Sequence, residues 1–292
     1  MDAEKNFSFM YKDYLNLTKP RLTMLNIFAA LFGFLLAGKS TPMIYLLESI
    51  FYISLVVAGA GALNCLMEID LDSQMTRTKN RPLPSGRLSP KAGLLFGSTL
   101  VFIGSLGLLL RANMLTGVIS LSSAIFYLVF YTPMKIKSPY AVFVGAIPGA
   151  LPPVIGYTAA SGELTNLAIT LFLILFAWQI PHFLAISIYS REDYSNAGVV
   201  VYPNARSTLY TVKLINFFTS VTIVSSLLPV LLGVSSNFYG FVAVLLGLCF
   251  QIICLKGYKS IGKLSVENNW AKRCFFASII YLPLLLISMF IL

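Results

Sequence analysis

Nine long apolar runs, at about 22–38, 43–67, 91–110, 113–131, 140–159, 165–190, 211–234, 237–257 and 271–292, constrain this chain more than any other feature. Each is long enough to cross the hydrocarbon of a bilayer as a helix. Backbone polar groups in hydrocarbon must be satisfied without water, which only helices and closed barrels achieve, and runs of this length favour helices. Composition agrees: 57% of residues are hydrophobic, 11% are charged and the mean hydropathy is +0.81. A water-soluble domain needs more polar residues than this to cover its surface. The expected fold is all-α: a polytopic membrane protein of about nine transmembrane helices in one bundle. Residues 1–21 form a cytoplasmic N-terminal segment and 22–292 the transmembrane domain.

The net charge of +10 reports topology. With the N-terminus cytoplasmic, all of the 21 basic residues except Lys39 and Arg111 fall on the inner face, as the positive-inside rule requires. An odd number of spans then puts the C-terminus outside. No basic stripe with interleaved aromatics is present, so a nucleic acid partner is not expected. The first twenty residues lack the apolar core of a signal peptide, and no cleaved targeting segment is expected. Phe7 to Tyr14 could lie amphipathically on the membrane surface. The four cysteines, Cys65, Cys249, Cys254 and Cys274, form no CxxC pair and read as packing residues.

Two connections are long and polar, about 68–90 and 190–210, and they follow the second and sixth spans. An even number of spans separates them, so both lie on one membrane face and can oppose each other. The spacing alone hints at an internal parallel repeat. In the first, Asn64, Glu68 and Asp72 stand at i, i+4 and i+8, within an arc of about 80° on a continuing helix, whereas Asp70 points elsewhere. Carboxylates gathered beside a bilayer call for a cation. Oxygen ligands of this kind suit Mg2+, which completes its shell with water and substrate phosphate. Arg77, Lys79 and Arg81 follow at once and can neutralise a diphosphate. Taken alone, the stretch could also be a solvated loop of paired charges.

In the second connection Arg191, Glu192 and Asp193 offer another cation and carboxylate set. His182, the only histidine, lies roughly 16 Å deeper along a helix from Asp193. A polar residue at that depth serves either bundle packing or a ligand. The fifth span carries Gly145, Pro148, Gly149, Pro152, Pro153 and Gly156, which allow close backbone approach to a neighbour or to a flat ligand.

At these residues the chain resembles the UbiA-type intramembrane prenyltransferase superfamily, whose first motif is an Asn followed at +4 and +8 by acids. Within it the chain is similar to the branch that farnesylates haem. The supporting stretches are Met75 to Pro82 with Gly86-Arg87, Tyr131-Thr132-Pro133, Gly149 to Gly156, Pro181-His182-Phe183 and Arg191 to Tyr194 with Ala197-Gly198. Glu68 stands where Asp is commoner, and Ala197 replaces a further acid, which leaves the number of Mg2+ ions open. The resemblance implies transfer of a farnesyl group from farnesyl diphosphate to a vinyl group of haem b in the inner membrane, among membrane lipid. A terminal oxidase or haem A synthase would be the downstream partner. By the same resemblance, Glu68, Asp72, Asp193 and, second to these, Asp70 hold Mg2+. Arg77, Lys79, Arg81 and Arg191 bind the diphosphate, Asn64 orients a ligand, and His182 faces the haem.

Two rivals stand beside this reading. A quinone precursor or another flat acceptor would use the same carboxylates. A secondary transporter would place charge inside its spans, but Glu48 is the sole acid within one.

Overall fold

Short polar residues and prolines set where the helices begin. Ser89, Asn113, Ser207 and Ser236 each accept a hydrogen bond from the backbone N–H three residues on, satisfying donors that a helix N-terminus leaves open. Pro20, Pro90 and Pro152 sit in first turns, where a missing N–H costs nothing. The computed structural model describes residues 11–38, 40–76 and 78–291, and among these there is no strand.

In chain order the helices are α1 (Tyr11–Leu17), α2 (Pro20–Leu36), α3 (Met43–Met67), α4 (Ile69–Gln74), α5 (Pro90–Ala112) and α6 (Met114–Met134). They continue as α7 (Ala141–Ala150), α8 (Pro152–Ser161), α9 (Asn166–Tyr189), α10 (Arg191–Asn196), α11 (Tyr202–Ala205), α12 (Thr208–Leu231), α13 (Asn237–Lys259) and α14 (Leu264–Ser288).

Among the described residues eight runs are long and apolar enough to cross a membrane, and a ninth arises if α1 and α2, bent by 55° at their junction, count as one. This is the polytopic all-α protein that hydropathy requires. The expected boundaries differ most at the last span: α14 begins at Leu264 rather than near 271, because its first turns carry Glu267, Lys272 and Arg273. The fifth run is divided at Leu151, ahead of the Pro152-Pro153 pair. The expected surface segment from Phe7 lies partly outside the described residues.

The helices cluster into two compact units, whose boundaries fall at Pro133, Ala150, Glu163, Ser195 and Gly198. In the first, α3 packs on α5 and α2 on α8. Glycine permits both seams: a Cβ on Gly156 would lie 1.8 Å from the Ala30 carbonyl oxygen, and one on Gly33 equally close to that of Pro153. In the second, α9 is central and packs on α7, α12 and α14, around a core that includes Ile174, Ile180, Leu184, Tyr239, Phe250 and Tyr281. Gln179 is buried there, donating to the Leu175 carbonyl at 3.0 Å beside Gly149, where a Cβ would clash with its side-chain oxygen.

Candidate active site

The helix expected to run continuously through the first acidic motif breaks once, at Glu68, whose φ of −110° and ψ of 17° end α3 and start α4. The ladder nonetheless continues, from Glu68 N–H to the Asn64 carbonyl at 3.1 Å and from Asp72 N–H to the Glu68 carbonyl at 2.7 Å. Asn64, Glu68 and Asp72 therefore stay together, only 1%, 6% and 2% exposed, while Asp70 is exposed.

Buried carboxylates need partners to offset their lost hydration. Arg81 Nη1 contacts Asp72 Oδ2 at 2.7 Å. The Asn64 amide donates to Glu68 Oε1 and to Thr132 Oγ1, and its oxygen accepts from Lys19 Nζ. Thr132 in turn donates to the Tyr127 carbonyl at 2.9 Å.

The connection beyond is folded rather than solvated. Leu83 and Leu88 are buried with Leu17, Ala62 and Cys65, and Arg87 binds the Asp13 carboxylate of α1 at 3.0 Å and the Asn80 carbonyl at 3.0 Å. Lys79 is exposed. Arg77 lies outside the described residues. Lys19 and Thr132 also belong to this cluster; the sequence marks Thr132 only within the Tyr131-Thr132-Pro133 stretch and does not mark Lys19, and neither is near the motif along the chain.

In the second unit the same backbone construction recurs. Ser190 ends α9 with φ −110° and ψ 17°, the values found at Glu68, and a six-residue helix follows in both places. The two breaks are thus alike in local backbone. The side chains differ in phase: Tyr194 takes the position of Asp72, and Glu192 and Asp193 are exposed.

Arg191 pairs with Glu267 at 3.3 Å, a buried acid of α14 that also accepts from Thr208 at 3.3 Å and from the Gly262 N–H at 2.9 Å. Sequence reasoning missed Glu267, because an acid in a first helical turn is ordinary.

His182 is sandwiched between Trp178 and Phe275, with ring centroids 4.9 and 4.8 Å away. Its Nδ1 lies 2.8 Å from Ser278 Oγ, and the Ser278 hydroxyl already donates to the Phe275 carbonyl at 2.6 Å. With that hydroxyl hydrogen committed to Phe275, a neutral His182 ring would carry its hydrogen on Nδ1 and its lone pair on Nε2.

Among the described residues no cluster of three or more His, Cys, Asp or Glu side chains could hold a metal alone. Two buried carboxylates at the α3–α4 break do fit Mg2+, which commonly takes one or two protein carboxylates and fills its shell with water and phosphate. Their all-oxygen chemistry suits that hard cation.

The UbiA prenyltransferase family profile matches residues 26–280. A protoheme IX farnesyltransferase of Anaeromyxobacter sp. (strain Fw109-5) is 40% identical over 280 residues, covering 96% of this chain and 93% of the relative. That of Myxococcus xanthus (strain DK1622) is 38% identical over 271 residues, covering 92% and 90%. Among solved structures, a digeranylgeranylglyceryl phosphate synthase superposes with a TM-score of 0.81 at 18% identity, covering 96% of both chains. A UbiA homologue from Archaeoglobus fulgidus bound to GPP and Mg2+ gives 0.67 at 15% identity, over 95% of this chain and 99% of that one. With its acidic motif buried at the α3–α4 break and a family match spanning most of its length, the chain belongs to the UbiA prenyltransferase family.

Proposed function

We propose that the protein transfers the farnesyl group of farnesyl diphosphate to a vinyl group of haem b, giving haem o. The allylic C–O bond breaks, a bond forms between the farnesyl carbon and the vinyl terminus, and water adds its hydroxyl to the other vinyl carbon. Diphosphate and a proton leave. The observation that carries this reading is the buried Asn64, Glu68 and Asp72 set with Arg81, in a chain whose relatives bear the farnesyltransferase name.

Glu68, Asp72 and Asp193, with Asp70 as a further ligand, would hold Mg2+. That ion, when bound, supplies neutralisation of the diphosphate leaving group. Arg77, Lys79, Arg81 and Arg191 bind the diphosphate oxygens and stabilise the charge that develops as the C–O bond breaks. Arg81 and Arg191 are held in place by Asp72 and Glu267. Asn64, with its amide committed to Glu68 and Thr132, orients the carboxylate. The apolar spans keep water from the allylic cation. His182 faces the haem, with Nε2 the atom able to meet iron or the O–H of a protonated propionic acid group. The N-terminus and both polar connections are cytoplasmic, the C-terminus is outside, and the inner membrane is the location. A terminal oxidase or haem A synthase takes the product.

The test is incubation of detergent-purified protein with farnesyl diphosphate, haem b and Mg2+, and mass analysis of the extracted haem. Haem heavier by one farnesyl group and one water, absent with Asp72→Asn, supports the reading. Diphosphate released only with a quinone precursor would keep the prenyl transfer and replace the acceptor. No diphosphate with any acceptor would leave the transporter.

A further inference from the structure

Lys19 is the only residue other than glycine with positive φ among the described residues, at φ 51° and ψ 62°. A lysine is strained in this left-handed conformation, which glycine or asparagine adopts readily. The position is no loose loop. Lys19 is the junction where α1 and α2 bend by 55°, and its carbonyl accepts from Leu22 and Thr23 N–H at 2.9 and 3.0 Å to start α2. The junction is docked on α3 as well: a Cβ on Gly61 would lie 3.2 Å from the Thr18 carbonyl oxygen, and the Cys65 thiol points to that of Leu17 at 3.8 Å. Gly61 and Cys65 flank Asn64 on one face of α3.

From there the Lys19 ammonium donates to the Asn64 side-chain oxygen. An amide has one acceptor atom and one donor nitrogen. Fixing the oxygen on Lys19 therefore fixes the nitrogen on Glu68 and Thr132, where both of its hydrogens are used. Strain kept at a functional site is sustained by what the surrounding structure holds there.

We propose that Lys19 is a positioning residue, whose ammonium locks the Asn64 amide so that Glu68, held by that amide, meets the Mg2+-diphosphate of the substrate in one orientation. The inference rests on the prenyl-transfer reading, and it adds a cation from outside both polar connections. Tertiary placement alone reveals it.

Glycine separates the two features of the position. Lys19→Gly keeps the left-handed backbone and removes the ammonium, whereas Lys19→Arg keeps a charged donor. Full-length protein in detergent is titrated with Mg2+ in the presence of farnesyl thiolodiphosphate, an unreactive analogue, with binding followed by calorimetry. Thermal midpoints and turnover on haem b are measured alongside.

For Lys19→Gly the expected result is an unchanged or higher midpoint, roughly a tenfold rise in the Mg2+ needed for half-maximal analogue binding, and roughly a tenfold to hundredfold fall in kcat. Lys19→Arg should recover most of both losses. Unchanged Mg2+ dependence and turnover in Lys19→Gly would overturn the proposal. So would a lower Mg2+ requirement, which would make Lys19 a mere competitor of the cation. A lowered midpoint that Lys19→Arg fails to mend would reduce its role to structure and overturn it too. Wild-type protein that binds the analogue without modifying haem would refute only the acceptor. Wild-type protein that binds no analogue would refute prenyl transfer and this inference together.

Discussion

Asp72 and Arg81 show how a buried carboxylate is held at the edge of a membrane domain. Asp72 is 2% exposed and meets Arg81 at 2.7 Å, while the Arg81 side chain is 29% exposed. Removing the cation leaves a buried acid without its closest ion partner, which is costly, but the exposure of Arg81 lowers that cost to about 1–3 kcal/mol. Arg81→Ala should therefore lower the thermal midpoint, and Mg2+ should restore part of it by replacing the lost charge. If Mg2+ raises the wild-type and Arg81→Ala midpoints equally, Asp72 is not where the cation acts. Turnover of the same variant should fall roughly a hundredfold or more, because the charge proposed to stabilise the leaving group is gone. Glu267→Gln makes the parallel case in the second unit. It loosens Arg191, and kcat for farnesyl transfer should drop roughly tenfold, with Glu267→Asp intermediate in the same assay. The Asn64, Glu68 and Asp72 stripe was legible in the sequence because three polar side chains at helical spacing are out of place at the end of an apolar run. Lys19 and Glu267 were not, since their partners lie 45 and 76 residues away and no local pattern marks them; Thr132 stood out only within the Tyr131-Thr132-Pro133 stretch, with nothing to tie it to Asn64, 68 residues away.

A single helix carries Asn64 and the run-up to Glu68, and its accuracy depends on neighbours packed at backbone distance. Gly59 of α3 faces Gly97 of α5, where an added Cβ would lie 2.7 Å from the Gly97 carbonyl oxygen. Gly156 of α8 is more restrictive, with the Ala30 carbonyl oxygen only 1.8 Å from where a methyl group would stand, so α2 and α8 must separate if even alanine is introduced. Overpacking of this kind typically costs about 1–3 kcal/mol, and here the obstacle is backbone rather than a flexible side chain. Gly156→Ala should lower the thermal midpoint in detergent by an amount matching that loss, and a midpoint equal to wild type would mean the seam is not tight. The fifth span's glycines and prolines announced close approach in the sequence, but not to what. Gly149 meets Gln179 and Gly156 meets Ala30, so packing accounts for these two. The recurring break was half legible: spacing placed the two connections, whereas the shared backbone angles at Glu68 and Ser190 emerge only in three dimensions, because no shared residue produces them.

At the scale of the whole chain, the apolar runs specified the spans because hydrocarbon leaves a backbone few other solutions. The division into two units was not readable, since it depends on which helices touch rather than on how apolar each is. The proposed sidedness rests on charge and can be measured directly. Every basic residue except Lys39 and Arg111 sits at the ends or connections assigned to the cytoplasm, and a bias that strong sets orientation during insertion. Ser85, exposed in the first connection, and Glu163, exposed after α8, stand on opposite faces in that arrangement. With the exposed Cys249 replaced, Ser85→Cys should react with a membrane-impermeant maleimide only in inverted vesicles, and Glu163→Cys only in right-side-out ones. The reverse pattern would put the carboxylates of Glu68 and Asp72 on the outer face and would refute the proposed cytoplasmic placement of both polar connections even if the chemistry at those residues stood. Labelling of both cysteines in the same vesicles would mean an even number of crossings between them, and the span broken at Leu151 would then be the first to re-examine, because Pro152 and Pro153 interrupt the helix there.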